Sequence, residues 1–291
     1  MRFAVLILAS CLAVGAQALA AKDDVCVPAT SLTPLPELPE ASGITAALDG
    51  SVLFAVNDSG APVVSVLSHA GAMIRQLTLP GARVIDWEDV TAARCGNGSC
   101  LYIADIGDNN RNREALQLYR IPQPRDDATS VAKADVFTVA YPDRPRDAES
   151  MFATRSGQLY IATKESGGTH VYRVPPFQAG GRAMLEPVAT VDFGSHRNER
   201  VTDADASSDG TWVALRTNET LLFYRTSELT SGRSAKPIRV SLKMLGEPQG
   251  EGVTFGAGGA MYLVGEGGGR RRPGTFAALR CSLPATAHQQ P

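Results

Sequence analysis

The sequence lacks the short motifs that mark common catalytic and nucleotide-binding sites. It contains no G-x-S-x-G, HExxH, Walker or G-x-G-x-x-G pattern, and the glycines at 267–269 are not in the strand-to-helix setting of a phosphate-binding loop. Its four histidines are isolated from one another: His69, His170, His196 and His288. These absences argue against a serine hydrolase, a zinc protease and a P-loop enzyme, and they leave His196 as the only histidine we consider as a base.

The chain also lacks a large excess of positive or negative charge, and it has few long apolar runs. The chain has 28 Lys and Arg against 30 Asp and Glu, a formal net charge of -2, so bulk charge does not favour nucleic acid or an anionic membrane as a partner. After the first 21 residues, no stretch reaches the 18 or more apolar residues of a membrane helix. No long segment repeats apolar residues every 3.6 positions, which predicts few helices.

The N-terminus has the composition of a cleaved secretory signal. Met1 and Arg2 precede an apolar run over 3–16, and the small residues at 18–21 supply an A-x-A cleavage site. We therefore assign residues 1–21 to a signal peptide and expect a secreted or periplasmic protein. The alternative is a lipoprotein processed at Cys11, although apolar sequence continues well past that cysteine.

Four cysteines remain after the signal, an even number for an oxidising compartment. Cys95 and Cys100 flank a short glycine-containing turn, so they are close enough for a local disulfide. Of the three possible pairings, the one that joins these two neighbours also joins Cys26 to Cys281. We predict both disulfides.

Five segments of the chain repeat one layout: an acidic or small residue, an apolar strand, a glycine-containing turn and an aromatic-bearing strand. They are 42–58, 88–105, 149–164, 202–216 and 251–266. We expect their aromatic residues to fall at the same register in every repeat: Phe54, Tyr102, Tyr160, Trp212 and Tyr262. Further strands follow these hairpins, so each repeat reads as a four-stranded antiparallel sheet. The pattern predicts an all-β, five-bladed β-propeller.

The fifth repeat has room for only three strands. We predict that residues 25–32 supply its outer strand, which closes the ring and removes the last open sheet edge. The propeller domain then covers 22–283, and residues 284–291 form a disordered tail. The alternative is a six-bladed propeller, in which the long interval between Tyr102 and Tyr160 contains another repeat.

Each repeat opens with a polar side chain that the ring symmetry directs towards the central channel. These five residues are Ser42, Glu88, Glu149, Thr202 and Glu251. Three carboxylates that meet at one point repel one another unless they are protonated or neutralised. Carboxylate and hydroxyl oxygens, without Cys or His, favour calcium over zinc. We therefore predict a Ca²⁺ site here; the alternative is that these side chains cap strand ends and bind backbone amides.

The sequences around these openings carry a resemblance to a known family. The segments 40–44, 86–88, 147–149 and 250–255 resemble the blade openings of the soluble calcium-activated nucleotidases (apyrases). The resemblance implies a five-bladed propeller with a central calcium held by Ser42, Glu88, Glu149 and Glu251, and with Thr202 in place of a serine. The segments 57–60, 105–109 and 141–143 are similar to those of bacterial secreted propellers of unassigned function.

The residues that follow the second strand of each repeat are expected on the same face. We predict Asp105 and Asp108 as catalytic groups that orient a water molecule. The predicted substrate contacts are Asp58, Lys164, Arg216 and Glu266. Nearby arginines belong to the same face: Arg111, Arg113, Arg146, Arg197, Arg200, Arg270, Arg271 and Arg272. Guanidinium groups around an acidic centre suit a small anionic ligand.

Two functions are compatible with these residues. The first is an exported, calcium-dependent hydrolase of phosphate or other esters, which the arginine and aspartate loops favour. The second is a non-catalytic binding protein or scaffold in which the central ion only holds the blades together, which the absence of a recognisable nucleophile favours. We expect a monomer in either case.

Overall fold

The computed structural model describes residues 25–125, 128, 131, 133–233, 236–269 and 272–285. In this part of the chain the strands form five sheets, and the first strands of neighbouring sheets contact one another around a closed ring. The prediction of an all-β, five-bladed propeller is confirmed, and the six-bladed alternative is wrong. The predicted signal peptide and residues 286–291 of the predicted tail lie outside the described residues. No described helix is long and apolar enough to span a membrane.

Two short strands, β1 (Cys26–Pro28) and β2 (Thr33–Leu35), precede the blades. Blade 1 contains β3 (Ala41–Ala46), β4 (Leu53–Asn57), β5 (Val63–Leu67) and β6 (Met73–Thr78); blade 2 contains β7 (Trp87–Cys95), β8 (Gly98–Asp105), β9 (Leu116–Pro122) and β10 (Asp135–Ala140). Blade 3 contains β11 (Ala148–Ala153), β12 (Leu159–Thr163), β13 (Gly168–Arg173) and β15 (Glu186–Asp192), with β14 (Arg182–Met184) between the last two in sequence. Blade 4 contains β16 (Val201–Ala206), β17 (Trp212–Thr217), β18 (Thr220–Arg225) and β19 (Ile238–Ser241). Blade 5 contains β20 (Gln249–Phe255), β21 (Ala260–Glu266) and β22 (Gly274–Cys281). Helical structure is limited to α1 (Thr226–Leu229) and two 3₁₀ turns, Lys243–Leu245 and Ala257–Gly259, among the described residues.

The ring closes through the N-terminal strands: β1 lies within the predicted segment 25–32, and β2 lies just beyond it. β1 and β2 both pair antiparallel with β22, so together they occupy the outer position of blade 5. Cys26 lies opposite Cys281 in this pairing, and the two form a disulfide. The second predicted disulfide, Cys95 to Cys100, spans the hairpin of β7 and β8. Closure thus leaves the edge of β22 paired and covalently fixed.

The long interval between the second and third aromatic residues is occupied by one blade with extended loops. β9 and β10 complete the antiparallel sheet of blade 2. A fifth strand, β14, then pairs parallel with β10, although it lies between two strands of blade 3 in the sequence. The chain of blade 3 therefore covers the outer edge of blade 2 before it returns to its own sheet.

The hydrophobic core lies between facing sheets of neighbouring blades. Between blades 1 and 2, for example, Phe54, Trp87 and Tyr119 are completely or almost completely buried and belong to one cluster. Burial of each such side chain contributes roughly 2 kcal/mol or more to folding. Four aromatic residues share the predicted register, opposite the fourth residue counted from the opening residue of the first strand: Phe54, Tyr102, Tyr160 and Tyr262. In blade 4 that position faces Ala214, so the prediction was wrong for Trp212, which lies two residues earlier.

Candidate functional site

A β-bulge interrupts the pairing of the first and second strands at the same place in all five blades. The register shifts lie between Ala41 and Ile44, Trp87 and Asp89, Ala148 and Ser150, Val201 and Asp203, and Gly250 and Val253. Each bulge contains one of the five opening residues: Ser42, Glu88, Glu149, Thr202 and Glu251. A bulge breaks the strict alternation of side chains along a strand and re-aims them. The bulges therefore direct these five residues into the centre of one face.

Hydrogen bonds connect these residues across neighbouring blades. The Ser42 hydroxyl lies 2.8 Å from the backbone oxygen of Glu88 and 3.0 Å from its Oε2. The Thr202 hydroxyl donates to the backbone oxygen of Glu251 at 3.0 Å. Both hydroxyl groups thus donate to a backbone oxygen of the next blade. The Ser42 hydroxyl also lies beside the Glu88 carboxylate.

The three glutamates surround the ammonium group of Lys164. Its Nζ donates to Glu149 Oε1, and its charge also acts on Glu88 and Glu251. Glu251 Oε1 accepts a hydrogen bond of 2.7 Å from the Gln249 amide, whereas Glu251 Oε2 is buried with no hydrogen-bond partner. Within the described residues, no three Asp, Glu, His or Cys side chains are already arranged to hold a metal ion. The cation at this centre is a lysine, and one buried carboxylate oxygen is left unpaired.

Burial raises the pKa values of all three glutamates, and repulsion from a neighbouring glutamate adds to the rise for Glu88 and Glu149. For Glu88, burial is the main cause and the charge of Glu149 is the next. Burial raises the pKa of Glu149 to about 8, against the opposing effect of Lys164. The pKa of Glu251 is raised mainly by burial, and Lys164 again opposes the shift. Glu149 is therefore close enough to both Glu88 and Glu251 for their charges to influence one another's ionisation.

A second group of carboxyl groups lies beside the first. Burial and the charge of Glu40 raise the pKa of Asp58 to about 6, and one of its oxygens is buried without a partner. Burial and the charge of Glu251 raise the pKa of Glu266 to about 7. Of the predicted substrate contacts, Asp58, Lys164 and Glu266 thus lie next to the three glutamates. The pKa values of Asp58 and Glu266 lie near neutral pH, which is the range of a general base.

Two further acids, Asp86 and Asp147, belong to this face and were not among the predicted site residues. Asp86 shares a hydrogen bond with Glu88, and burial followed by the charge of Asp147 raises its pKa. Asp147 accepts a hydrogen bond of 2.9 Å from the backbone of Asp108. Each lies two positions before a central glutamate, in a D-x-E pattern. The recurrence of that spacing at two blade openings was the available signal in the sequence.

The predicted catalytic residues hold a loop together. Asp105 is fully buried, pairs with Arg113 at 2.7 Å and accepts hydrogen bonds from the backbone of Ile85 and Asp86. Asp108 accepts hydrogen bonds from the backbone of residues 112 and 113 at 3.0 and 2.8 Å. Both carboxylates therefore already have donors that fix the loop beside Glu88. Their predicted role in orienting water stays a prediction.

The structure places Arg216 between blades 4 and 5, away from solvent. Its side chain is completely buried and pairs with the buried Glu247 at 2.6 Å. It also donates to the backbone oxygens of Gly252 and Val264. Arg146 is likewise paired, with Asp143 and Glu165, both at 2.6 Å. These pairings leave the centre of the face acidic rather than surrounded by free guanidinium groups.

A fully buried pair of aspartates lies one layer below the central glutamates. Asp89 accepts a hydrogen bond from the backbone of Met151 at 2.6 Å, and Asp203 accepts one from Val253, so each connects two blades. The two carboxyl groups share a hydrogen bond, and burial raises both pKa values. Gly43 occupies the equivalent layer, because a side chain there would collide with Asp89. This layer forms a structural floor beneath the site.

The fold and the site together define a class: a disulfide-closed, five-bladed β-propeller with an acidic centre on one face. No known protein family matches the sequence, and no curated protein matches it. A similar solved structure is that of the PQQ-bound aldose sugar dehydrogenase from Streptomyces coelicolor, with a TM-score of 0.53 and 8% identity, covering 88% of this chain and 98% of that one. The β-propeller domain of Cps50 (Swd1) from Myceliophteria thermophila has a TM-score of 0.49 and 10% identity, covering 88% of this chain and 100% of that one. Luciferin-regenerating enzyme has a TM-score of 0.48 and 10% identity, covering 85% and 94%. These likenesses concern the fold alone, and none of the comparisons supports the resemblance to the calcium-activated nucleotidases.

Proposed function

We propose that this protein is an exported β-propeller that binds a divalent cation, Ca²⁺, at the acidic centre of its face. Glu88, Glu149 and Glu251 are the proposed carboxylate ligands, and Ser42 and Thr202 the proposed hydroxyl ligands. The observation that carries the proposal is the unpaired, buried Oε2 of Glu251. A buried carboxylate oxygen without a partner is costly, and a cation with oxygen ligands is what satisfies it.

The charges of the site favour a divalent ion. Three ionised glutamates with one Lys164 ammonium carry two excess negative charges, and one divalent cation balances them. Calcium accepts six to eight oxygen ligands in flexible geometry, which suits a site assembled from five blades. In the described conformation the ammonium pairs with Glu149. Binding of the ion therefore requires Lys164 to leave that carboxylate while it remains at the edge of the site.

As the activity of this site we propose calcium-dependent hydrolysis of phosphate or other esters. The observation that favours it is the pair of carboxyl groups, Asp58 and Glu266, whose pKa values are raised to about 6 and about 7 beside the proposed ion. Calcium lowers the pKa of a bound water only modestly, so a base that titrates near neutral pH is needed to accept a proton from that water. The non-catalytic alternative, a scaffold held by a structural ion, is an outcome of the same test.

The test compares the wild-type protein with a variant that carries Glu88→Gln, Glu149→Gln and Glu251→Gln. Glutamine keeps the shape of each side chain and removes its charge. Calcium at about 100 times its Kd stabilises a protein by about 3 kcal/mol, which corresponds to a rise of roughly 5–10 °C in Tm for a domain of this size. We expect this shift in the wild type and none in the variant. Glu186→Gln is the matched control, since Glu186 pairs with Arg173 on the exposed edge of blade 3.

Activity is measured in parallel as phosphate release from nucleoside di- and triphosphates, phytate and aryl esters, with calcium and with a chelator. Glutamine keeps the shape of glutamate and can still accept a hydrogen bond from Lys164, so the Gln variant should fold, and circular dichroism checks this. An equal calcium shift in the variant and the wild type would overturn the metal site. A calcium shift without any turnover across the substrates would overturn the hydrolase and favour the scaffold.

A further inference from the structure

A cleft of about 630 Å³ opens on the same face, between blades 3, 4 and 5. Its inner end is lined by Lys164, Thr202 and Glu251, which belong to the acidic centre. Its outer wall contains Arg197 and Arg200, from the loop that connects blade 3 to blade 4. The cleft therefore leads from an acidic end to a basic end without leaving the face.

The loop that forms the outer wall is fixed by Glu199. The backbone oxygen of Glu199 accepts a hydrogen bond of 2.9 Å from Gly167. Its carboxylate accepts hydrogen bonds from Thr220, at 3.0 Å, and from Arg239. Glu199 also lines the cleft, but its carboxylate is neutralised by Arg239 within the protein. Its two arginine neighbours in the loop remain on the cleft side.

Arg197 and Arg200 have no carboxylate partner among the described residues. Arg200 Nε donates to the Ser166 hydroxyl at 3.1 Å, which leaves the other guanidinium nitrogens available. Both arginines are exposed. In contrast, Arg113, Arg146 and Arg216 on this face are all ion-paired. The cleft is thus a place on this face where uncompensated positive charge lies close to the acidic centre.

We infer that this cleft binds a small ligand with a phosphate monoester group, held by Arg197 and Arg200 at the outer wall. Guanidinium groups bind phosphate oxygens through paired hydrogen bonds, and two of them match the double charge of a phosphate monoester better than the single charge of a carboxylate. Lys164 lines the same cleft and supplies a third positive group once the ion replaces it at Glu149. This inference rests on the proposed function, because the central ion sets the inner end of the cleft.

The test uses the full-length mature protein and methyl phosphate as the probe. Binding is measured by isothermal titration calorimetry in saturating calcium, with acetate as the carboxylate comparison. The variants are Arg197→Gln and Arg200→Gln, and the matched control is Arg155→Gln, an exposed arginine that lines the cavity at the opposite mouth of the central channel. We expect each cleft variant to weaken binding about tenfold or more, while the control and the calcium affinity stay within about twofold.

The outcomes separate this inference from the proposed function. Two results overturn the cleft assignment while the metal site stands. In the first, calcium binds and methyl phosphate does not. In the second, calcium binds and methyl phosphate binds all three variants as tightly as it binds the wild type. Acetate that binds as tightly as methyl phosphate overturns the assignment to phosphate monoesters. If calcium does not bind, the metal site fails, and the titration in a chelator then decides whether the arginines bind phosphate independently. Methyl phosphate binding in the chelator that is lost in both cleft variants supports the cleft assignment. The absence of methyl phosphate binding in the chelator overturns that assignment.

Discussion

Replacement of Arg216 by methionine should destabilise the protein strongly without any direct effect on a ligand. Arg216 is on blade 4, yet its partners, Glu247, Gly252 and Val264, all lie outside that blade, in blade 5 or the segment leading to it. Arg216→Met leaves the Glu247 carboxylate buried and uncompensated, and removal of one partner from a buried ion pair costs roughly 3–5 kcal/mol. At about 2–4 °C per kcal/mol, the expected fall in Tm is roughly 6–20 °C.

Thermal unfolding followed by circular dichroism at pH 7, in a chelator, measures this effect. A double variant, Arg216→Met with Glu247→Leu, should recover most of the loss, because it removes the unpaired charge together with its partner. Arg173→Met is the matched control: its ion pair with Glu186 is exposed, so the expected change is within about 1 kcal/mol. The reasoning fails if Arg216→Met melts within about 2 °C of the wild type. Loss of methyl phosphate binding in such a stable variant would instead support the predicted substrate contact.

Three further perturbations test other parts of the structure. Burial raises the pKa of Glu149 from 4.5 to about 8, so between about pH 5 and 8 the folded, metal-free protein binds more protons than the unfolded chain. Its stability should therefore fall as pH rises through this range. Urea unfolding in a chelator measures the stability, and a rise with pH would contradict the reasoning. Cys26→Ser with Cys281→Ser opens a disulfide that spans 255 positions and should cost about 5 kcal/mol in the loop-entropy description; a loss below about 1 kcal/mol in thermal unfolding would mean that strand pairing alone closes the ring. Gly107→Ala places a methyl group against the Glu88 carboxylate and should lower calcium affinity about tenfold with the fold retained; unchanged affinity by calorimetry would place the ion away from Glu88.

The opening residues of the five blades could be recognised from the sequence because the repeat itself aligns them. What could not be recognised is that all five lie in β-bulges. A bulge shifts register only with respect to a partner strand, so it has no signature within the strand that carries it. Asp89 and Asp203 illustrate the consequence: the regular alternation would turn them away from the channel if Glu88 and Thr202 faced it. In the structure, Glu88 and Thr202 point towards the channel, and so do Asp89 and Asp203 in the layer below them.

The predicted catalytic role of Asp105 and the predicted substrate contact of Arg216 both required a side chain exposed to a ligand. Exposure of a side chain cannot be read from the sequence. Both residues lie at the end of a second strand on the correct face, and both are nevertheless completely buried. Their partners, Arg113 for one and Glu247 for the other, lie in loops whose path is set by neighbouring elements. A polar residue at the end of a strand therefore defines a face of the propeller, but it does not indicate whether its charge is free to meet a ligand.

The sequence by itself determined the number of blades, the closure of the ring and the pairing of the cysteines, because repeat period, strand length and spacing along the chain are local or periodic properties. Only the tertiary structure decided which charges remain free. Lys164 is paired with Glu149, Arg216 is enclosed between two blades, and Arg197 and Arg200 are left open at the cleft. The physical reason is that burial and ion pairing depend on contacts between blades, and those contacts join residues whose separation in the chain carries no pattern.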